Sequence, residues 1–227
     1  SGIQYLTESE KDDSGNKWNK NSFIIPNGII NAQPQYRKKD KKTVQLTFIG
    51  RLDPYQKGID LLVNGIILKK NLFIKSHCYL DLYGPDYEGD MEKIPQLIKQ
   101  HGLENYITIH KGVYGELKRK VLLETDVFVL TSRFEGLPMG LLEALSYGIP
   151  CLITKGANLK NEVENYKCGW TAENSEVSVA KALEDMIKDR QLYEEKGMHA
   201  KSLAMRFSWE NIAQKTHDIY EKIIHEA

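Results

Sequence analysis

Cysteine is scarce in this chain. The three present among 227 residues, Cys78, Cys151 and Cys168, are odd in number and lack metal-ligand spacing. They speak against a disulfide framework or a zinc site and read as reduced thiols of a cytosolic protein. Net charge is missing too, since 31 basic residues balance 31 acidic ones. With no global field to attract a polyanion, no nucleic-acid partner is expected. No apolar run approaches the ~18 residues that suggest a membrane-spanning helix, and the start Ser1-Gly2-Ile3-Gln4 lacks the charged-then-apolar order of a secretory signal. No G-x-G-x-x-G follows the first strong strand, which argues against a dinucleotide site of the usual type.

What is present is a soluble composition, 41% hydrophobic and 27% charged, on a chain long enough to bury a sizeable core. Residues 1–22 are polar and read as a surface or poorly ordered segment, with Tyr5-Leu6 and Trp18 as docking points. Residues 23–42 read as a hinge and linker: Phe23-Ile24-Ile25 is stopped by the turn cluster Pro26-Asn27-Gly28, and a polar, basic stretch follows. The run Lys38-Lys39-Asp40-Lys41-Lys42 reads as a solvated linker. Residues 43–227 form the main domain.

From Thr43 onward, short apolar strands alternate with helices. Strands are predicted over 44–49, 78–83, 106–110, 127–130 and 151–153. Helices are predicted over 59–68, 91–100, 116–123, 141–147, 177–188, 192–205 and 209–224. This alternation predicts an α/β fold, a Rossmann-like doubly wound parallel sheet with helices on both faces and helices at the C-terminus. Such sheets bind ligands beyond the carboxyl ends of their strands. Here those ends carry Gly50-Arg51, Gly84-Pro85, Gly112 and the stretch from Arg133 to Gly140.

Two constellations at that edge carry chemistry. In Glu135-Gly136-Leu137-Pro138-Met139-Gly140 the two glycines let the backbone approach a ligand, and the following helix offers unpaired N–H groups and the positive end of its dipole to a diphosphate. Glu135 precedes that helix and Glu143 lies within it, so one carboxylate can accept from a sugar and the other from a ribose. The plainer reading, a Gly-Pro turn before a core helix with two solvated acids, stays open on these residues alone. In Gly50-Arg51-Leu52-Asp53-Pro54-Tyr55-Gln56-Lys57-Gly58, Arg51 supplies a planar fork and Lys57 a point charge, both suited to phosphate. Alone, that loop also fits a solvated turn.

Taken in order, Pro26-Asn27-Gly28-Ile29, Gly50-Arg51, Lys57-Gly58, Glu-Gly-Leu-Pro from Glu135, Leu-Leu-Glu-Ala around Glu143 and Phe207-Ser208-Trp209-Glu210 resemble family 4 retaining glycosyltransferases of the GT-B fold. The resemblance spans Phe23 to the C-terminus and implies one half of such a fold, the half that binds a nucleotide diphosphate sugar. It implies that Arg51 and Lys57 hold the diphosphate, that Glu143 holds the ribose and that Glu135 contacts the donor sugar. Gly50, Gly136 and the backbone amides around Leu137, Met139 and Gly140 complete the cradle, with Gly112 and Val113 near the base. Arg51, Lys57 and Glu135 are the catalytic candidates.

The same resemblance implies a missing N-terminal acceptor-binding domain, a carbohydrate or lipid-linked acceptor, and polysaccharide or glycolipid synthesis. It places the protein in the cytoplasm, peripheral at the inner face of the membrane through the missing domain. It also leads to the expectation that the last helix leaves Ile212 and Tyr220 without a partner. No metal ligand and no cofactor beyond the donor substrate are expected, because Asp81, Asp86 and Asp90 do not form a D-x-D motif. The six histidines are scattered and expected to lack a paired carboxylate or ligand spacing, and none is assigned catalysis. The alternatives are a non-catalytic nucleotide-binding or assembly module, and a sugar-nucleotide epimerase or phosphorylase on the same fold.

Overall fold

The computed structural model describes residues 2–15, 21–32, 42–86 and 90–225. Trp18 and the basic run through Lys41 lie outside them. The main body is a six-stranded sheet built from β3 (Val44–Ile49), β4 (Cys78–Tyr83), β5 (Ile107–His110), β6 (Val127–Leu130), β7 (Cys151–Thr154) and β8 (Gly169–Ala172). Its order is β5-β4-β3-β6-β7-β8, with every neighbouring pair parallel. All residues of β6 and β7 are buried, as the middle of a parallel sheet with two covered faces requires. On β4, by contrast, Cys78, Leu80 and Leu82 are buried while Tyr79, Asp81 and Tyr83 are half-buried.

Helices α2 (Ile59–Leu68), α3 (Lys70–Lys75), α4 (Lys93–Gln100), α5 (Gly115–Glu124), α6 (Met139–Ser146), α7 (Lys160–Tyr166), α8 (Glu176–Lys188) and α9 (Tyr193–Met205) connect and cover these strands. Leu61, Leu62, Val63 and Ile66 of α2 are buried, and α2 packs on α8. Gly65 permits this contact, because a Cβ there would stand 2.8 Å from Val179 Cγ1. The strand order turns between β3 and β6: the chain after β3 proceeds to one side of the sheet, and the chain after β6 to the other. A crevice at the carboxyl edge opens where such a reversal occurs.

The N-terminal segment, expected to be surface or poorly ordered with Tyr5-Leu6 as docking points, forms regular structure in its described residues and docks through that pair. Strand β1 (Ile3–Tyr5) pairs in parallel with β2 (Ser22–Ile24), joined through α1 (Glu8–Ser14). The Thr7 hydroxyl accepts from Glu10 N–H at 3.0 Å, and the Glu10 carboxylate accepts from Leu6 N–H at 2.6 Å. This reciprocal cap holds a short helix that polar composition alone does not suggest. Tyr5 and Ile25 are buried, and Leu6 packs against the main core.

The segment after β2 is sewn to the final helix, α10 (Trp209–His225). Ile29 N–H donates to Phe207 O at 2.7 Å, and Trp209 N–H donates to Ile29 O at 3.2 Å. Gly28 lets the Trp209 indole lie on the backbone, since a Cβ there would fall 2.4 Å from the ring. Ile212, expected to lack a partner, is buried because it sits in the first turn beyond this stitch. Tyr220 and Ile224, further along, are exposed.

Candidate functional site

The loops after β3 and β6, which flank the reversal of strand order, are fastened together. Gly58 takes φ +60° to open α2, and a Cβ there would fall 1.8 Å from Thr131 O. The Thr131 hydroxyl donates to Gly58 O at 2.8 Å, and Arg133 N–H donates to Gln56 O at 2.9 Å. Along the same edge Gly84 lies so close to Gly50 O that a Cβ would overlap it. The carboxyl ends of β3 and β4 therefore form one tight ledge.

Across this seam Lys57 Nζ lies 2.7 Å from Glu135 Oε1, and both side chains are largely buried, at 17% and 10% exposure. The Ser132 hydroxyl donates to the same carboxylate oxygen at 2.6 Å. Asn158 donates from its side chain to Glu135 O. One expected cation and one expected acid, 78 positions apart, thus meet at the switch point. Arg51 sits on the same loop but is more open. Its guanidinium donates to the Gln56 side chain and lies 3.7 Å from Asp53 Oδ2.

Helix α6 starts just past this pair. Pro138 precedes it and no side chain caps its amino end, while Leu141 and Leu142 N–H bond back to Pro138 O. The amino end thus keeps its dipole and leading N–H groups for an anion. Met139 is exposed and Leu137 is buried. Gly136 has open space where a Cβ would stand, with only Leu6 Cδ1 near, at 3.9 Å. Gly140 serves packing instead: its Cβ would lie 3.2 Å from Ile49 O, so its absence lets α6 settle on the end of β3.

Glu143, one turn into α6, is half-exposed and pairs with Lys118 of α5. Lys118 was not among the expected residues, and nothing local in the sequence marks it. Gly112 and Val113 lie on the loop between β5 and α5. Val113 is buried, and the exposed Tyr114 ring lies against Gly112, with its hydroxyl 2.9 Å from where a Cβ would be.

One expectation about histidine needs correcting. His217 on α10 lies 3.8 Å from Asp218 and 3.9 Å from Glu221. His110 has a closer carboxylate partner, Asp81, at 2.9 Å, and its ring stacks on Tyr83 with centroids 4.4 Å apart. The His110–Asp81 pairing is invisible in sequence because it joins adjacent strands, β4 and β5. Gln45 Nε2 also donates to Asp81, at 3.0 Å. Burial and the neighbouring Asp81 push the Tyr83 phenol up to about 12. Among the described residues no group of three or more His, Cys, Asp or Glu side chains is disposed to hold a metal ion. Likewise, no helix among them is long and apolar enough to cross a membrane.

Fold and edge together define a doubly wound α/β domain whose switch point carries paired charges and an open helix terminus. The model of the family described as "Glycosyl transferases group 1" matches residues 30–202. The chain belongs to that family. It is similar to a glycogen synthase of Geotalea uraniireducens, with 30% identity over 173 residues, covering 73% of this chain and 34% of that enzyme. It spans less than half the length of the curated relatives it matches. Among solved structures, sucrose-phosphate synthase from Thermosynechococcus elongatus superposes with a TM-score of 0.82 at 18% identity, covering 100% of this chain and 59% of that one. The HepE protein of Anabaena, solved in complex with UDP-glucose, gives 0.77 at 17% identity, with 99% and 64% covered. These likenesses show the fold, the parallel α/β arrangement of GT-B glycosyltransferase structures.

Proposed function

We propose that this chain is the donor-binding half of a retaining glycosyltransferase of family 4, taking a nucleotide diphosphate sugar and passing its sugar to a carbohydrate or lipid-linked acceptor. The observation that carries this reading is the meeting of Lys57 and Glu135 beside the uncapped amino end of α6, at the sheet's switch point. Lys57, Arg51 and the α6 amides neutralise the diphosphate as it leaves, a role for preorganised cations and N–H dipoles. Glu135 accepts from hydroxyls of the donor sugar, and Glu143 from the ribose. The base lies along Gly112 and Val113. Retention of configuration and the family 4 assignment rest on the ordered motifs.

Acceptor binding and turnover belong, on this reading, to a second domain that closes over the edge and brings the two substrates together. Calorimetric titration of the chain with UDP, GDP and ADP tests the proposal. Binding of one of them, with little or no donor turnover, is the expected result. Failure of all three to bind ends it.

A further inference from the structure

Arg133 stands out because it touches the loop bearing Lys57 on both sides of that lysine. Its guanidinium donates to both carboxylate oxygens of Asp60, at 2.8 and 2.7 Å, and to Tyr55 O at 2.7 Å. It also lies 4.5 Å above the centre of the Tyr55 ring. Tyr55 precedes Lys57 by two residues, and Asp60, in the first turn of α2, follows it by three. Arg133 itself precedes Glu135 by two residues on the opposite loop. The side chain is only 19% exposed, and its two-pronged bond to Asp60 fixes orientation as well as distance. Its own carbonyl is held by Asn174 Nδ2 at 3.2 Å and packed by Gly156, where a Cβ would fall 2.1 Å away.

We infer that Arg133 is a positioning residue: its fork on Asp60 and Tyr55 sets the spacing between Lys57 and Glu135, and so the grip on the outer phosphate of the donor. This rests on the reading of the switch point as a diphosphate site. Three of the five N–H donors of Arg133 are taken by Asp60 and Tyr55, which ties its guanidinium to the Lys57 loop, so it acts through Lys57 and not on the ligand. Lysine cannot replace it, because an ammonium on a flexible stem cannot hold Asp60 through a planar fork while lying over the Tyr55 ring. The inner phosphate, ribose and base rest on α6 and the β5–α5 loop, which the clamp does not hold.

That division supplies the test. UDP, GDP and ADP are titrated against the unmodified chain, and the tightest is compared with its own monophosphate in Arg133→Lys and Asp60→Asn. Both variants are checked for native melting behaviour. The expected result is a loss of about tenfold in diphosphate affinity, the size of one charge-assisted hydrogen bond, with monophosphate affinity changed less than about twofold. Unchanged diphosphate affinity overturns the inference. So does an equal loss for both ligands, which marks general damage to the fold. Tighter binding by Asp60→Asn overturns it too, since the freed guanidinium would then be contacting phosphate directly. If Arg133→Lys does not fold, Asp60→Asn decides alone. Absence of binding to the unmodified chain refutes the diphosphate site itself, and the inference with it.

Discussion

Lys57 and Glu135 face each other at 2.7 Å across two loops that leave adjacent parallel strands, and the Ser132 hydroxyl shares the carboxylate oxygen. Each charge is neutralised by the other. A bound nucleotide sugar would offer each a separate partner, phosphate to the lysine and hydroxyls to the acid.

Their roles separate by substitution. Lys57→Ala is expected to weaken nucleoside diphosphate binding by about 1–3 kcal/mol, the cost of a lost charged hydrogen bond. Glu135→Gln frees Lys57 from its ion pair, so it should bind the diphosphate no more weakly while losing the extra affinity that the sugar adds. Calorimetry with UDP and UDP-glucose on both variants measures this. A Glu135→Gln protein that loses UDP and UDP-glucose equally would remove the acid from the sugar.

Lys118 occupies the carboxylate proposed for the ribose. Uridine carries no phosphate, so its hydroxyls compete with that ammonium and gain nothing from its charge. Lys118→Met is therefore expected to tighten uridine binding about threefold, matching a half-exposed ion pair of ~0.6 kcal/mol. An NMR titration reads the change, and weaker binding would make Lys118 a support for the nucleoside.

Gly58→Ala tests the seam between the loops. The residue holds φ +60°, and a methyl there would meet Thr131 O. Loss of about 2 kcal/mol or more in urea denaturation is expected, accompanied by weaker nucleotide binding. Gly102→Ala, at the end of α4, is the control, because φ is also positive there, at +62°, but only the flexible end of Lys70 lies within 4 Å of its Cβ.

Glu184 of α8 ties down the end of α2. Lys188 and Lys69 together hold its carboxyl down to about 2 from the ordinary 4.5, with Lys69 Nζ at 2.6 Å. A depressed folded-state value means the stabilisation is complete above about 4.5 and is lost as pH falls toward 2. The melting temperature of Glu184→Gln should lie below that of the unmodified chain at pH 7, and the gap should close across that window. A gap that stays constant down to the acid end would rule out this tie.

Much of the sheet was legible because its strands are short, apolar and bounded by glycine or polar turns. Val44–Ile49, Cys78–Tyr83 and Val127–Leu130 fall where the sequence predicts them. The apolar period of Ile59, Leu62, Val63 and Ile66 likewise marks α2 from end to end. What escaped were elements too brief for periodicity to show: α3, α7, β8 and the capped unit β1-α1-β2. For α1 the sequence did hold a signal, the Thr7-x-x-Glu10 capping pattern. At the site, Arg51, Lys57, Glu135 and Glu143 became candidates through the ordered motifs, and their places after β3, after β6 and within α6 follow from the element pattern. Their tertiary partners do not. Lys118 reaches Glu143 from a helix 25 positions earlier, and Arg133 reaches Asp60 across 73.

Gly28 and Trp209 carry a practical consequence. An indole resting on a glycine backbone trades water for peptide on one face, so its emission reports how closely the two chain segments lie. Trp170, the other described tryptophan, is buried and would contribute a steady background. Any rearrangement that parts residues 26–29 from the start of α10 should therefore appear as a shift in intrinsic fluorescence, with no label attached.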